Sequence, residues 1–113
     1  MKSKIAALTK NEDFKSLLNS KKISNKYSTI YFDDLLKKNN KKLNISFVTK
    51  KKIGNAVKRN KIKRRLRNIM NEAIKTISIN FNYSYLVIAK VTMLDNEYTK
   101  IKEILFADFK RIK

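Results

Sequence analysis

Apolar residues recur along this chain at two spacings, and each spacing predicts its own kind of element. Between Ile62 and Ile77, Leu66, Ile69, Met70, Ala73 and Ile74 return every three or four positions. At about 100° per residue they share an arc of roughly 140° with Ile62 and Ile77, the buried face of an amphipathic helix. That helix is predicted from a cap at Asn55 to about Ile77, with Gly54, the only glycine, where the chain must turn into it. Phe14, Leu17 and Leu18 have helical spacing too and predict a first helix, capped by Asn11 and ending near Asn19-Ser20. Ile101, Ile104, Leu105, Phe109 and Ile112, with Tyr98 in the first turn, predict a last helix opened by Asp95 or Asn96.

The second spacing is two. Leu43 to Thr49 begins with an apolar–polar alternation, the pattern of a half-buried strand, which Lys50 to Ile53 extend or follow with a short strand of their own. Tyr27 to Phe32 is rich in β-branched and aromatic residues and predicts another strand. Tyr85 to Ala89 is a near-continuous apolar run, as in a central strand covered on both faces. Residues 1–8 read as a loosely ordered basic arm, and Lys21–Lys26, Asp33–Lys42 and Ser78–Asn82 as polar connections. The predicted order is α-β-β-(β)-α-β-α: one α+β domain over residues 1–113, with three to four strands packed against three helices.

Charge changes the picture of the long helix. The run from Lys50 to Arg67 holds ten Lys or Arg and no acid. No Asp or Glu occurs between Asp34 and Glu72, a span that carries half of the chain's 28 basic residues. Arg59, Asn60, Lys63, Arg64 and Arg67 gather in an arc adjoining the apolar one, nearer the amino-terminal end, while Lys58, Lys61 and Arg65 point elsewhere. The plain alternative is a solvated Lys-rich face, but no acid stands near to pair with it. A field of one sign this concentrated favours a polyanion, and phosphate backbones are the commonest one. With a net charge of +19 the free chain repels itself, so it is expected to be marginally stable and to be stabilised by bound anions.

Composition also narrows the chemistry. There is no cysteine and no histidine, which removes disulfides, thiol catalysis, the commonest general base and the commonest nitrogen ligand for a metal. Of the nine acids, only Asp33 and Asp34 are adjacent outside a predicted helix, and neighbours on a strand face opposite sides. Glu12 and Asp13 suit the first turn of a helix, where carboxylates meet the positive end of its dipole. No catalytic residue and no metal site of the protein's own is expected. No apolar run approaches the roughly 18 residues of a membrane span and no signal peptide is visible, so a cytoplasmic location is expected.

The run GNAVKRNKIKRRLR, Gly54 to Arg67, resembles the signature of the bacterial ribonuclease P protein subunit, whose core here is Arg59-Asn60-Lys61-Ile62-Lys63-Arg64. The preceding Lys51 to Val57, then LTKNEDF (Leu8–Phe14), SNKYSTIYF (Ser24–Phe32) and YLVIAK (Tyr85–Lys90), fit the same family in the expected order, so the resemblance covers almost the whole chain. It implies the ribonuclease P protein fold, which is ribosomal protein S5 domain 2-like, with the long helix as a left-handed crossover against the usual right-handed rule. It implies that a catalytic RNA performs the hydrolysis with magnesium, and that the protein assists as the non-catalytic subunit of this endoribonuclease. Its partners would be that RNA and precursor tRNA, with no membrane and no small-molecule substrate. Lys52, Arg59, Asn60, Lys63, Arg64 and Arg67 would contact the catalytic RNA. Phe14, Tyr31 and Lys90 would line the path of the precursor's 5′ leader, where aromatic faces stack on unpaired bases without sequence demand. Phe14 and Tyr31 are equally readable as core residues. The chain departs from the family where Leu18 replaces an aromatic residue, and where Val91-Thr92 lacks a proline often found there.

Other readings follow from composition alone. A DNA-binding module with a basic recognition helix is one, although strands with exposed aromatics suit single-stranded RNA better. A ribosomal or chaperone-like RNA binder differs only in the motif set. A membrane-surface helix would need the apolar arc that the core requires.

Overall fold

The computed structural model describes residues 4–35, 41–94 and 97–112. In chain order these form β1 (Ile5–Ala6), α1 (Asn11–Leu18), β2 (Lys21–Ser24), β3 (Ser28–Asp33), β4 (Leu43–Val48), α2 (Ala56–Thr76), β5 (Ser84–Ala89) and α3 (Tyr98–Arg111). Short 3-10 turns occupy Lys51–Ile53 and Val91–Met93. The strands make one sheet in the order β1-β4-β5-β3-β2. β5 is central, as its apolar run predicts, parallel to β4 and antiparallel to β3. Parallel neighbours cannot be joined by a tight turn, and α2 is the crossover between them.

The two faces of the sheet differ. Ile30, Ile45, Tyr85 and Val87 lie in one core with Ile62, Leu66, Ile69, Met70 and Ala73 of α2 and Ile101, Leu105 and Phe109 of α3. Residues between them along each strand point the other way. On that second face, Leu86 of β5 and Leu17 of α1 are buried outside the main core, and α1 contacts β3 and β5. With only eight residues, about 12 Å of helix, α1 covers part of this face and leaves the rest open.

Among the described residues the α+β class and three helices stand as expected, but the sheet has five strands. β1 and β2 lie where a loose arm and a polar connection were predicted, and both are edges. β2 carries a single apolar residue, Ile23, and is held by its ladder to β3, from Lys21 opposite Phe32 to Ser24 opposite Thr29. Lysines on an edge strand discourage pairing with another chain, and they also erase the alternation by which a strand is read. β1 pairs in parallel with the start of β4, where the Leu43 N–H donates to the Lys4 carbonyl at 2.9 Å.

Several ends also differ from the pattern. Lys51–Ile53 is a 3-10 turn, not a strand. Asn11 is the first helical residue of α1 and not its cap; Lys10 holds that position, its carbonyl accepting from the Asp13 and Phe14 amides. Leu18, placed on the apolar side by spacing, is 48% exposed. Asp95 and Asn96 lie outside the described residues, and Glu97 stands at the cap of α3. Asn55 does cap α2, its Oδ1 accepting from the Lys58 N–H at 3.0 Å. Gly54 precedes it with φ 150° and ψ −164°, a conformation open in practice to glycine only. A Cβ there would also stand 2.8 Å from Cδ of Lys58.

Candidate nucleic-acid interface

α2 divides along its length. Its carboxy-terminal half is bound into the core, and its first turns carry the predicted ridge. Asn60, Arg64 and Arg67 are exposed, whereas Arg59 and Lys63 are half-buried. Arg59 falls at the helical angle of Ile77 and is drawn toward the protein; its Nε is buried without a hydrogen-bond partner. Asn60, Lys63, Arg64 and Arg67, with the 73% exposed Val57, line a hollow of about 400 Å³. The first turn of α2 contains no acid, so the positive end of the helix dipole adds to the field of these side chains. The ion pairs Lys102–Glu72 (3.2 Å) and Arg111–Asp108 (3.6 Å) involve α3 and the far half of α2.

A second hollow, of about 380 Å³, opens beside the first. Phe14 of α1, Phe47 and Val48 of β4, Ile5 of β1 and Ala7 line it, together with Lys63 and Arg67 of α2. Its outer wall is the amino-terminal segment, which is tied across by the Leu8 N–H donating to Ser46 Oγ at 2.8 Å. An apolar floor with two cations at the rim suits a nucleotide, whose base is a flat apolar face and whose phosphate is an anion.

The open part of the α1-side face continues this surface. Tyr31 pairs with Leu86 on one side and Lys22 on the other, and Thr29 pairs with Ile88. The Lys22 ammonium lies 5.9 Å from the centre of the Tyr31 ring, within reach of a cation–π contact. Thr29, Ile88 and Val91 line a third hollow with Lys50, Lys52 and Lys90. The Lys90 ammonium donates to the Asn25 carbonyl at 2.7 Å. Phe14 and Tyr31 are both half-buried and neither belongs to the main core.

The structure therefore interleaves two sets that the resemblance implies as separate. Phe14 shares a hollow with Lys63 and Arg67, and Lys52 shares one with Lys90. Lys22, Lys50, Ile5 and Phe47 were not singled out from the sequence. Strand register brings Lys22 opposite Tyr31, and register is not visible where a strand itself goes unread.

The acids are arranged differently. Glu12, Asp13, Asp33 and Asp34 border a hollow with Lys10 and Ser16. Among the described residues, no group of three or more His, Cys, Asp or Glu is placed to hold a metal ion. Burial pushes the Tyr85 hydroxyl far above its ordinary range, and it donates to the Asn80 carbonyl at 2.7 Å, a structural bond.

Known proteins share both sequence and fold with this chain. The family model for Ribonuclease P matches residues 2–113. The ribonuclease P protein component of Carboxydothermus hydrogenoformans is 32% identical over 115 residues, covering 98% of this chain and 94% of that protein. That of Mycoplasma capricolum subsp. capricolum is 32% identical over 114 residues, covering all of both. The RNase P protein from Thermotoga maritima superposes with a TM-score of 0.80 at 24% identity, covering 96% of this chain and 98% of that one, a likeness of fold. A basic helix beside an aromatic-lined cleft, the full-length family match and these relatives agree: the chain belongs to the ribonuclease P protein family.

Proposed function

We propose that this chain binds the catalytic RNA of ribonuclease P through the first turns of α2 and the 5′ leader of precursor tRNA along the open sheet face. In this reading it assists removal of the leader during maturation of the tRNA 5′ end. The observation that carries it is the contact between the two hollows. Lys63 and Arg67 border both the cationic hollow of α2 and the one that holds Phe14. A strand leaving the catalytic RNA's active site could pass from phosphate contacts to stacking contacts without leaving the protein. Arginine forks grip phosphates bidentately, and Asn60 can bond a phosphate or a base edge.

Among the described residues, no group of acids is placed to hold a magnesium ion. Magnesium and hydrolysis are assigned to the RNA. No helix among the described residues is long and apolar enough to cross a membrane, and a cytoplasmic location fits this work.

Reconstitution tests the reading. Precursor tRNA, a catalytic RNA of this family and the purified protein are combined in all pairs and together. The protein alone is expected to cleave nothing, and adding it to the RNA is expected to speed cleavage of the precursor. Cleavage by RNA-free protein that persists through further purification overturns the assignment of chemistry. An RNA whose cleavage is indifferent to the protein overturns the assisting role.

A further inference from the structure

Asp108 is a buried acid in a chain with a net charge of +19. It lies on α3, away from both α2 hollows, and is 6% exposed. Burying a carboxylate is costly unless it is bonded, so its partners matter. Its Oδ2 accepts from Asn25 Nδ2 at 2.8 Å, and its Oδ1 lies 3.6 Å from Arg111. Asn25 organises the turn between β2 and β3: its Oδ1 accepts from the Tyr27 and Ser28 amides, each at 2.7 Å. Three further bonds run from this turn to the segment after β5. The Lys90 ammonium donates to the Asn25 carbonyl (2.7 Å), the Lys90 N–H to the Tyr27 carbonyl (2.8 Å), and the Thr92 hydroxyl to the Lys26 carbonyl (2.6 Å).

We infer that Asn25 and Asp108 form a positioning pair that sets the Lys90 ammonium at the hollow it shares with Lys50 and Lys52, and so tunes grip on the precursor's leader. Neither residue touches the leader. An ammonium on a four-carbon stem has many rotamers, and a fixed carbonyl acceptor selects among them before RNA arrives. The acceptor is fixed because its turn is anchored to α3 through one charge-assisted bond. The segment 90–92 lacks proline, which would have rigidified it through its backbone; here bonds to the neighbouring turn do so. The consequence for RNA rests on Lys90 serving the leader path.

The test uses an exchange of donor and acceptor. Asn25→Asp keeps the oxygen that receives the Tyr27 and Ser28 amides but sets two carboxylates against each other. Asp108→Asn alone keeps an acceptor for Asn25 Nδ2. The double variant Asn25→Asp/Asp108→Asn restores the bond with its ends reversed. Two readouts are taken on the full chain: amide hydrogen exchange, and affinity for precursor over mature tRNA in the reconstituted holoenzyme.

For Asn25→Asp, exchange at Lys90 is expected to quicken by about tenfold relative to Val87 in the core of β5. The precursor preference is expected to fall by about three- to tenfold, the scale of one weakened charged contact, with mature tRNA unaffected. The double variant should recover both. On a Lys90→Ala background, Asn25→Asp should lower the preference no further. If Asn25→Asp quickens Lys90 and Val87 alike, the pair is merely structural and the inference fails; if that variant does not fold, Asp108→Ala, which removes the acceptor of Asn25 Nδ2 without adding a charge, is read on the same terms. If exchange behaves as expected but Lys90→Ala leaves the preference unchanged, the leader role of Lys90 fails while the positioning contact stands.

Discussion

The cationic hollow of α2 and the aromatic-lined hollow beside it share two residues yet are built in opposite ways. The first is one helix deep: Asn60, Lys63, Arg64 and Arg67 are neighbours because residues three and four apart on a helix are neighbours. The second is assembled from β1, α1, β4 and α2, and exists only when all four are docked. The difference teaches that charge can be presented by local structure, whereas a stacking cleft needs the tertiary fold. Damage to packing should therefore reach the cleft first.

The largest expected effect breaks both at once. Leu66 is fully buried on the core side of α2. Leu66→Ala removes that packing and should cost about 2–5 kcal/mol, read as a loss of thermal stability. With a net charge of +19 to hold together, the variant is expected to be unfolded in plain buffer and to regain structure with sulfate, phosphate or RNA. Melting that ignores these anions at constant ionic strength would remove the anion-site reading.

Next come changes that separate the hollows. Arg64 borders only the cationic one, while Arg67 borders both. Arg64→Ala should weaken assembly with the catalytic RNA by about 1–3 kcal/mol and flatten the log–log salt slope by roughly 0.7, without altering the melting temperature. Arg67→Ala should do the same and also reduce the preference for precursor over mature tRNA. Equal effects of the two variants on that preference would mean that the hollows act as one surface.

Tyr31→Ala touches the sheet face alone. Loss of one stacking ring should lower affinity for precursor tRNA by roughly 1–3 kcal/mol and leave mature tRNA, which has no leader, binding as before. Equal weakening of both RNAs in a titration would detach Tyr31 from the leader.

The smallest effect is a gain. Leu18 stands 48% exposed on α1, at a position where the resemblance implies an aromatic residue. Leu18→Phe replaces an aliphatic side chain with a stacking one and should tighten precursor binding by at most about 1 kcal/mol, without changing mature tRNA binding. No gain for any leader sequence would place Leu18 outside the leader's path.

The sequence alone determined the elements whose stabilisation is periodic. The arc of Ile62, Leu66, Ile69, Met70 and Ala73 is buried as its spacing requires, β5 is central as its unbroken apolar run requires, and Asn55 caps α2. The ridge was legible for the same reason, since a helix converts spacing into adjacency. Only the tertiary structure decided what depends on pairing between distant segments. β1 and β2 are edge strands held by backbone bonds that no side-chain pattern announces. The sharing of Arg67 with Phe14 comes from the docking of α1 and α2 around one sheet, and that of Lys90 with Lys52 from the parallel pairing of β4 with β5. Backbone hydrogen bonds are the same for every residue but proline, so a strand made mainly by them leaves little trace in the sequence.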